Sequence, residues 1–178
     1  MLVLALDVAT RTGYALGRVG ERPTFGSIRF GNASSNDNII FASALDWCAR
    51  FLDPQPRPEL LAIEALLPPD AMGGRTTRNV RDRLAGLHGI VRAVACLRDI
   101  PRIEAYAVGD VRSHFIGDRK AKRDIAKRET MRRCLQLDWH VQDDNAADAL
   151  ALWSFACSLI DPRLALRTVP LFNRRVAL

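Results

Sequence analysis

Apolar positions fall in blocks whose period changes along the chain. Residues 1–7 (MLVLALD) form an unbroken apolar run closed by an acid, the pattern of a strand covered on both faces. Residues 11–19 (RTGYALGRV) and 24–30 (TFGSIRF) follow, separated by a turn from Gly20 to Pro23, and the three segments predict an antiparallel meander. A polar loop spans 32–38. Over 39–52, Ile40, Phe41, Ala44, Leu45, Trp47, Cys48 and Phe51 recur at helical spacing, and three prolines within 53–58 end that helix. Residues 60–63 are a second short apolar run, closed by Glu64. A loop with Pro68, Pro69, Gly73 and Gly74 leads into a long helix predicted over 75–97, with Gly86 and Gly89 on one side.

Residues 103–108 predict a fifth strand, and 111–116 a short helical turn stopped by Gly117. A helix over 122–135 carries a strongly basic exposed face, and one over 145–160 is apolar almost all round. The order β-β-β-α-β-α-β-α-α predicts one α/β domain over 1–160, a mixed five-stranded sheet flanked by helices. The tail, 161–178, mixes prolines and arginines and is expected to be loosely held or partner-dependent.

Composition narrows this picture. With 178 residues, 48% apolar and 26% charged, the chain is long and apolar enough to bury a core, which excludes wholesale disorder. The net charge of +6 suggests a polyanionic partner, against the alternative of a solubilising excess of arginine. Cys48, Cys96, Cys134 and Cys157 form no C-x-x-C pair and no zinc spacing, and are expected to be small core residues of a reduced protein. Without a signal-peptide pattern or a membrane-length apolar stretch, the expected setting is the cytoplasm.

The informative residues are acids in apolar surroundings. Asp7 and Glu64 each close a run that should be buried, where an ionised carboxylate is costly unless paired, hydrogen-bonded or metal-bound. A turn hydrogen bond near Thr10 would explain Asp7 alone, and an arginine would explain Glu64 alone; together they point to one cluster. Asp148 lies three and four residues from other members of the last helix and lines up with Leu152, Phe155 and Leu159. Asp143 and Asp144 stand where helix caps stand, and capping is the stronger reading for Asp143. Converging carboxylates without a lysine in their motifs call for a divalent cation. Oxygen ligands suit Mg²⁺ or Mn²⁺, and two such ions about 3.5–4 Å apart are common machinery for phosphodiester hydrolysis.

LALDVATRTGYAL, AIEALLPP and DDNAADALALW, in this order, resemble the RuvC family of Holliday junction resolvases, closest to phage- or prophage-type members, from residue 1 to about 160. The resemblance implies a ribonuclease H-like fold, a homodimer, and paired nicking of four-way DNA junctions with two Mg²⁺ ions per site, Mn²⁺ substituting. On it, Asp7 matches the first-strand acid, Glu64 the fourth-strand acid and Asp148 the final-helix acid. The family's fourth ligand, Asp or His, stands three residues before the final acid, where this chain has Asn145. Asp144, one residue earlier, is the substitute candidate, with Asn145 as a neutral oxygen ligand.

Arg112, Arg119, Lys120, Lys122, Arg123, Lys127, Arg128, Arg132 and Arg133 fall in one short region. The family places DNA-backbone lysines near its equivalent; Arg112 matches one, and Lys122 or Arg123 another. Lys120 and Lys127, with Arg75 and Arg78 before the second long helix, complete the DNA-binding candidates. The alternative is a solvated face paired to Asp124 and Glu129. His88 is expected to pack; His114 and His140 are expected at the surface. Trp47 and Trp153 are expected in the core. The leading function is a branched-DNA endonuclease. A ribonuclease H-fold nuclease for another branched DNA or an RNA–DNA hybrid, and a non-catalytic DNA-binding module, are the alternatives.

Overall fold

A computed structural model describes residues 1–32, 34–66 and 78–165. One five-stranded sheet runs through it in the order β3-β2-β1-β4-β5. The strands are β1 (Leu2–Asp7), β2 (Arg11–Arg18), β3 (Thr24–Arg29), β4 (Leu60–Glu64) and β5 (Ile103–Tyr106). The first three form the expected meander, antiparallel throughout, while β4 and β5 continue the sheet in parallel from β1. The central strand is thus β1, which explains its apolar run: both of its faces are covered.

Successive strand residues point to opposite faces. Leu4, Leu6, Leu61 and Ile63 join a core beneath α1 (Asp37–Phe51) and α2 (Arg78–Leu97). Val3, Ala5, Leu60 and Ala62 join a second core beneath α5 (Asp144–Ile160), which α3 (Val108–Ile116) and α4 (Arg123–Gln136) flank. The small residues Ala5, Ala15 and Ala62 meet Ala147, Ala149 and Ala156 in that core, so α5 lies close to the strands.

Several expectations change. The helical turn over 111–116 is a nine-residue helix starting at Val108, stopped by Gly117 at φ 77° as expected. Cys96 is exposed, whereas Cys48, Cys134 and Cys157 are buried. Leu159 is exposed, on the side of the last turn of α5 opposite the buried Cys157 and Ser158. Gly86 packs within the chain: a Cβ there would lie 2.5 Å from the Phe41 ring of α1, while Gly89 faces open space. Trp153 is buried, and Trp47 stacks on Phe51 with ring centroids 4.6 Å apart. Of the tail, Pro162–Leu164 form a 3-10 turn with Leu164 packed on the α5 core; 166–178 lie outside the described residues. No helix among the described residues is long and apolar enough to cross a membrane.

Candidate active site

The alternation that builds the two cores also aims the acids. Asp7 shares a strand face with Val3 and Ala5, and Glu64 shares one with Leu60 and Ala62, so both turn toward the α5 side. Leu6 is in register with Ile63, so the acids that follow them close adjacent parallel strands side by side. Asp7 pairs with Gly13 on its other flank. A Cβ on Gly13 would lie 1.9 Å from the Asn145 carbonyl oxygen. Glycine therefore lets the first turn of α5 rest directly on β2, beside Asp7.

The start of α5 divides its acids by role. Asp143 is the N-cap and accepts from the Ala146 amide at 2.9 Å and from Ser27 Oγ at 2.5 Å, with Arg11 at 3.7 Å. Burial works against its charge, but these donors hold its carboxyl below the usual range. Asp144, in the first turn, is ion-paired to Lys127 of α4 through Oδ2, and Asn145 Nδ2 approaches its Oδ1 at 3.4 Å. The lysine hydrogen bond keeps the Asp144 carboxyl below its ordinary value. Asp148 lies one turn further along, inside the apolar length of the helix.

Asp7, Glu64 and Asp148 behave differently. Burial, then the charges of Glu64, Asp148 and Asp144, raise the Asp7 carboxyl well above its ordinary value. Burial and Asp148 push Glu64 up to about 7. Burial and Asp144 push Asp148 up to about 6. Among the described residues no hydrogen bond relieves any of the three; the lowering influences are the charges of Lys127, Arg112 and Arg123. Glu64, Asp148 and Arg112 line a cavity of about 30 Å³ over Val111 and Phe115. Among the described residues, no group of three or more His, Cys, Asp or Glu side chains is arranged to hold a metal ion. In chemistry, though not in arrangement, the donor set suits a divalent cation: hard carboxylate oxygens, mutually repelling and without a hydrogen-bond partner among the described residues. Such an ion, when bound, would activate water and neutralise charge developing at a phosphate.

The basic run is less uniform than its sequence. Arg112 donates to the Ala121 carbonyl at 3.2 Å and faces Glu64 and Asp148. Arg119 is ion-paired to Asp110, and Arg128 and Arg132 to Glu129. Arg133 is buried, not on the exposed face, and donates to Gln136 at 3.2 Å. Lys120, Lys122 and Arg123 are exposed and, among the described residues, carry no ion pair. Arg78 is exposed and lies 3.6 Å from Asp82; Arg75 lies outside the described residues. His114 is buried rather than at the surface, its Nε2 3.0 Å from Ser154 Oγ, and burial and Arg133 lower it to about 4. Lys127 was visible in the sequence as one basic residue among many; its reach to Asp144, 17 residues away, was not.

The fold and the acid-ended central strands together define a ribonuclease H-like architecture. The structure of Thermus thermophilus RuvC superposes with a TM-score of 0.66 at 17% identity, covering 90% of this chain and 96% of that one. T. thermophilus RuvC in complex with a Holliday junction substrate gives 0.65 at 15% identity over 90% and 95%. The yeast mitochondrial Holliday junction resolvase Ydc2 gives 0.56 at 13% identity over 93% and 83%. At these identities the likeness is one of fold. No protein-family model and no curated protein sequence matches the chain.

Proposed function

We propose that this protein is a divalent-metal-dependent endonuclease that resolves four-way DNA junctions by paired phosphodiester hydrolysis. The observation that carries the reading is the mutual influence of Asp7, Glu64 and Asp148, three acids without a hydrogen-bond partner among the described residues, at the edge of a fold shared with RuvC and Ydc2. Mg²⁺ is the expected ion, with Mn²⁺ substituting. Lys120, Lys122 and Arg123, and Arg112 beside the acids, supply the phosphate-binding surface. One acid cluster per chain makes paired cutting the work of a homodimer, with the open side of α2 around Gly89 as its candidate contact. The finer expectation is a phage- or prophage-type enzyme acting in a bacterial or phage-infected cytoplasm.

The test is cleavage in Mg²⁺ of an immobile four-way junction beside a linear duplex, a flap and an RNA–DNA hybrid. Symmetric nicking of the junction in preference to the rest is expected. Preference for the hybrid would replace junction resolution with a ribonuclease H activity, and junction binding without cleavage would leave a DNA-binding module. Removing Lys122 or Arg123 should weaken binding evenly across junction sequences and flatten the salt dependence by about one unit of slope each.

A further inference from the structure

The second half of α5 walls a cavity that lies apart from the acids. It measures about 180 Å³ and sits against the turn between β2 and β3, with Leu137, Trp139, Trp153, Cys157 and Leu164 around it. Cys157 is nine residues beyond Asp148, about 13 Å further along the helix. An apolar cavity of about 150 Å³ is enough to hold a benzene ring. Trp139 and Trp153 supply aromatic walls that meet edge to face, with ring centroids 6.2 Å apart. Burial pushes the Cys157 thiol up to about 12, which leaves it a passive part of the lining.

A polar atom of this wall has no partner. Trp153 is 4% exposed, and among the described residues its indole Nε1 makes no hydrogen bond. A buried donor in that state is costly. Its direction follows from Gly17 of β2. A Cβ there would lie 3.2 Å from Trp153 Cζ2, the ring carbon next to the one that bears Nε1. The donor edge of the indole is thus turned toward the end of β2, where Gly20 and Glu21 line the same cavity. Ser154 is already engaged, its Oγ 3.0 Å from His114 Nε2. Water suits such a lining poorly, because it needs about two to four polar partners. Apolar walls disfavour a charged guest, and Glu21 at the exposed rim disfavours an anion in particular. We propose that this cavity binds a small, neutral, mostly aromatic molecule whose carbonyl or ring-nitrogen acceptor receives a hydrogen bond from Trp153 Nε1. Such a molecule brings what the wall lacks, an acceptor, on a body that the two indoles can pack against.

Acetophenone and isopropylbenzene test this as probes of nearly equal size, the first with a carbonyl acceptor and the second without. In the ¹⁵N-labelled full-length chain each tryptophan gives an indole N–H signal, and Trp153→Phe assigns that of Trp153. Acetophenone should move the Trp153 signal downfield and saturate it. Isopropylbenzene should move it less and bind roughly fivefold more weakly, the difference expected of one buried neutral hydrogen bond. In Trp153→Phe, followed through the Trp139 signal, the two probes should bind with equal affinity. Leu164→Trp, which fills the mouth from its half-exposed rim, should abolish binding of both. Circular dichroism checks the folding of each variant, and if Trp153→Phe does not fold, the wild type and Leu164→Trp carry the test. A Trp153 signal unmoved by acetophenone up to its solubility limit would overturn the proposal. So would equal affinity of the wild type for the two probes, or binding that survives Leu164→Trp. A Trp153 indole proton already shifted downfield and slow to exchange in the free protein would overturn it too, by placing the chain's own groups in the cavity.

Discussion

The two faces of the sheet are made by the same alternating strands but treat charge in opposite ways. On the α1–α2 side, the charged groups at the helix ends find partners. Arg83 Nε meets Asp37 Oδ1 at 2.6 Å and ties the two helices together. Arg98 reaches the Ala49 carbonyl at 3.0 Å and Asp53 at 3.2 Å. His88 is buried and kept neutral, lowered to about 4 by burial and by Arg92. Beneath α5, Asp7, Glu64 and Asp148 raise one another with no hydrogen-bond donor among the described residues. A face that only packs minimises such conflicts; a face that binds an ion keeps them in reserve, at a cost in stability that the remaining core offsets.

The contrast is sharpest in activity. Asp7→Asn and Asp148→Asn should each lower junction cleavage on the order of 10³-fold, as loss of several kcal/mol of metal-centred stabilisation implies, while gel-shift affinity stays within a few-fold. Arg83→Ala on the other face should leave cleavage unchanged. Normal cleavage by either Asn variant would end the distinction between the faces.

A pair of glycines tests the same contrast through packing. Gly13→Ala must push α5 off β2 and should destabilise by about 3 kcal/mol in urea titration, lowering cleavage as well. Gly89→Ala, whose Cβ meets nothing within 4 Å, should stabilise the α2 helix by roughly 0.5–1 kcal/mol.

Thermal unfolding against pH, without metal, gives the two faces opposite signs. Glu64 is raised from 4.5 to about 7 in the folded chain, so its contribution is complete below about pH 4.5 and is lost as pH rises through about 7. Glu64→Gln should therefore match wild type in acid and exceed it by roughly 2 kcal/mol above neutrality, a figure discounted for the water that reaches the side chain. His88, lowered from 6.5 to about 4, contributes above about pH 6.5 and loses that contribution as pH falls toward 4. Divalent ion should erase the Glu64 difference and leave that of His88. The smallest effect is expected for the exposed side of the α1–α2 pair: Asp37→Ala should cost about 0.5 kcal/mol, close to the limit of denaturant titration.

How far the sequence reached depends on the distance over which each signal acts. The meander, the central apolar strand and the three acids Asp7, Glu64 and Asp148 were legible, because burial pattern and a misplaced charge both show within a few residues. The capping role of Asp143 was legible for the same reason, and it accepts from Ala146 as the spacing predicts. Lys127 was not, because its partner lies on another helix and nothing local distinguishes it from Arg128 or Lys122. His114 and Arg133 look polar in sequence; their burial is decided by how α3 and α4 fold onto α5. Gly13 was visible as part of a strand motif, but the reason for it, an Asn145 carbonyl where its side chain would be, belongs to the tertiary structure.

That empty position at residue 13 has a consequence for engineering. Side chains change rotamer and yield when neighbours are replaced, but here a strand and a helix meet main chain to main chain, with no rotamer between them. The dimensions of the acid cluster are therefore carried by a backbone template. The apolar layers on either side can be redesigned for heat resistance without retuning the site, provided this contact is kept. Grafted together, β1, β2, β4 and the first two turns of α5 are the smallest portable unit that would carry Asp7, Glu64 and Asp148 in this arrangement to another sheet.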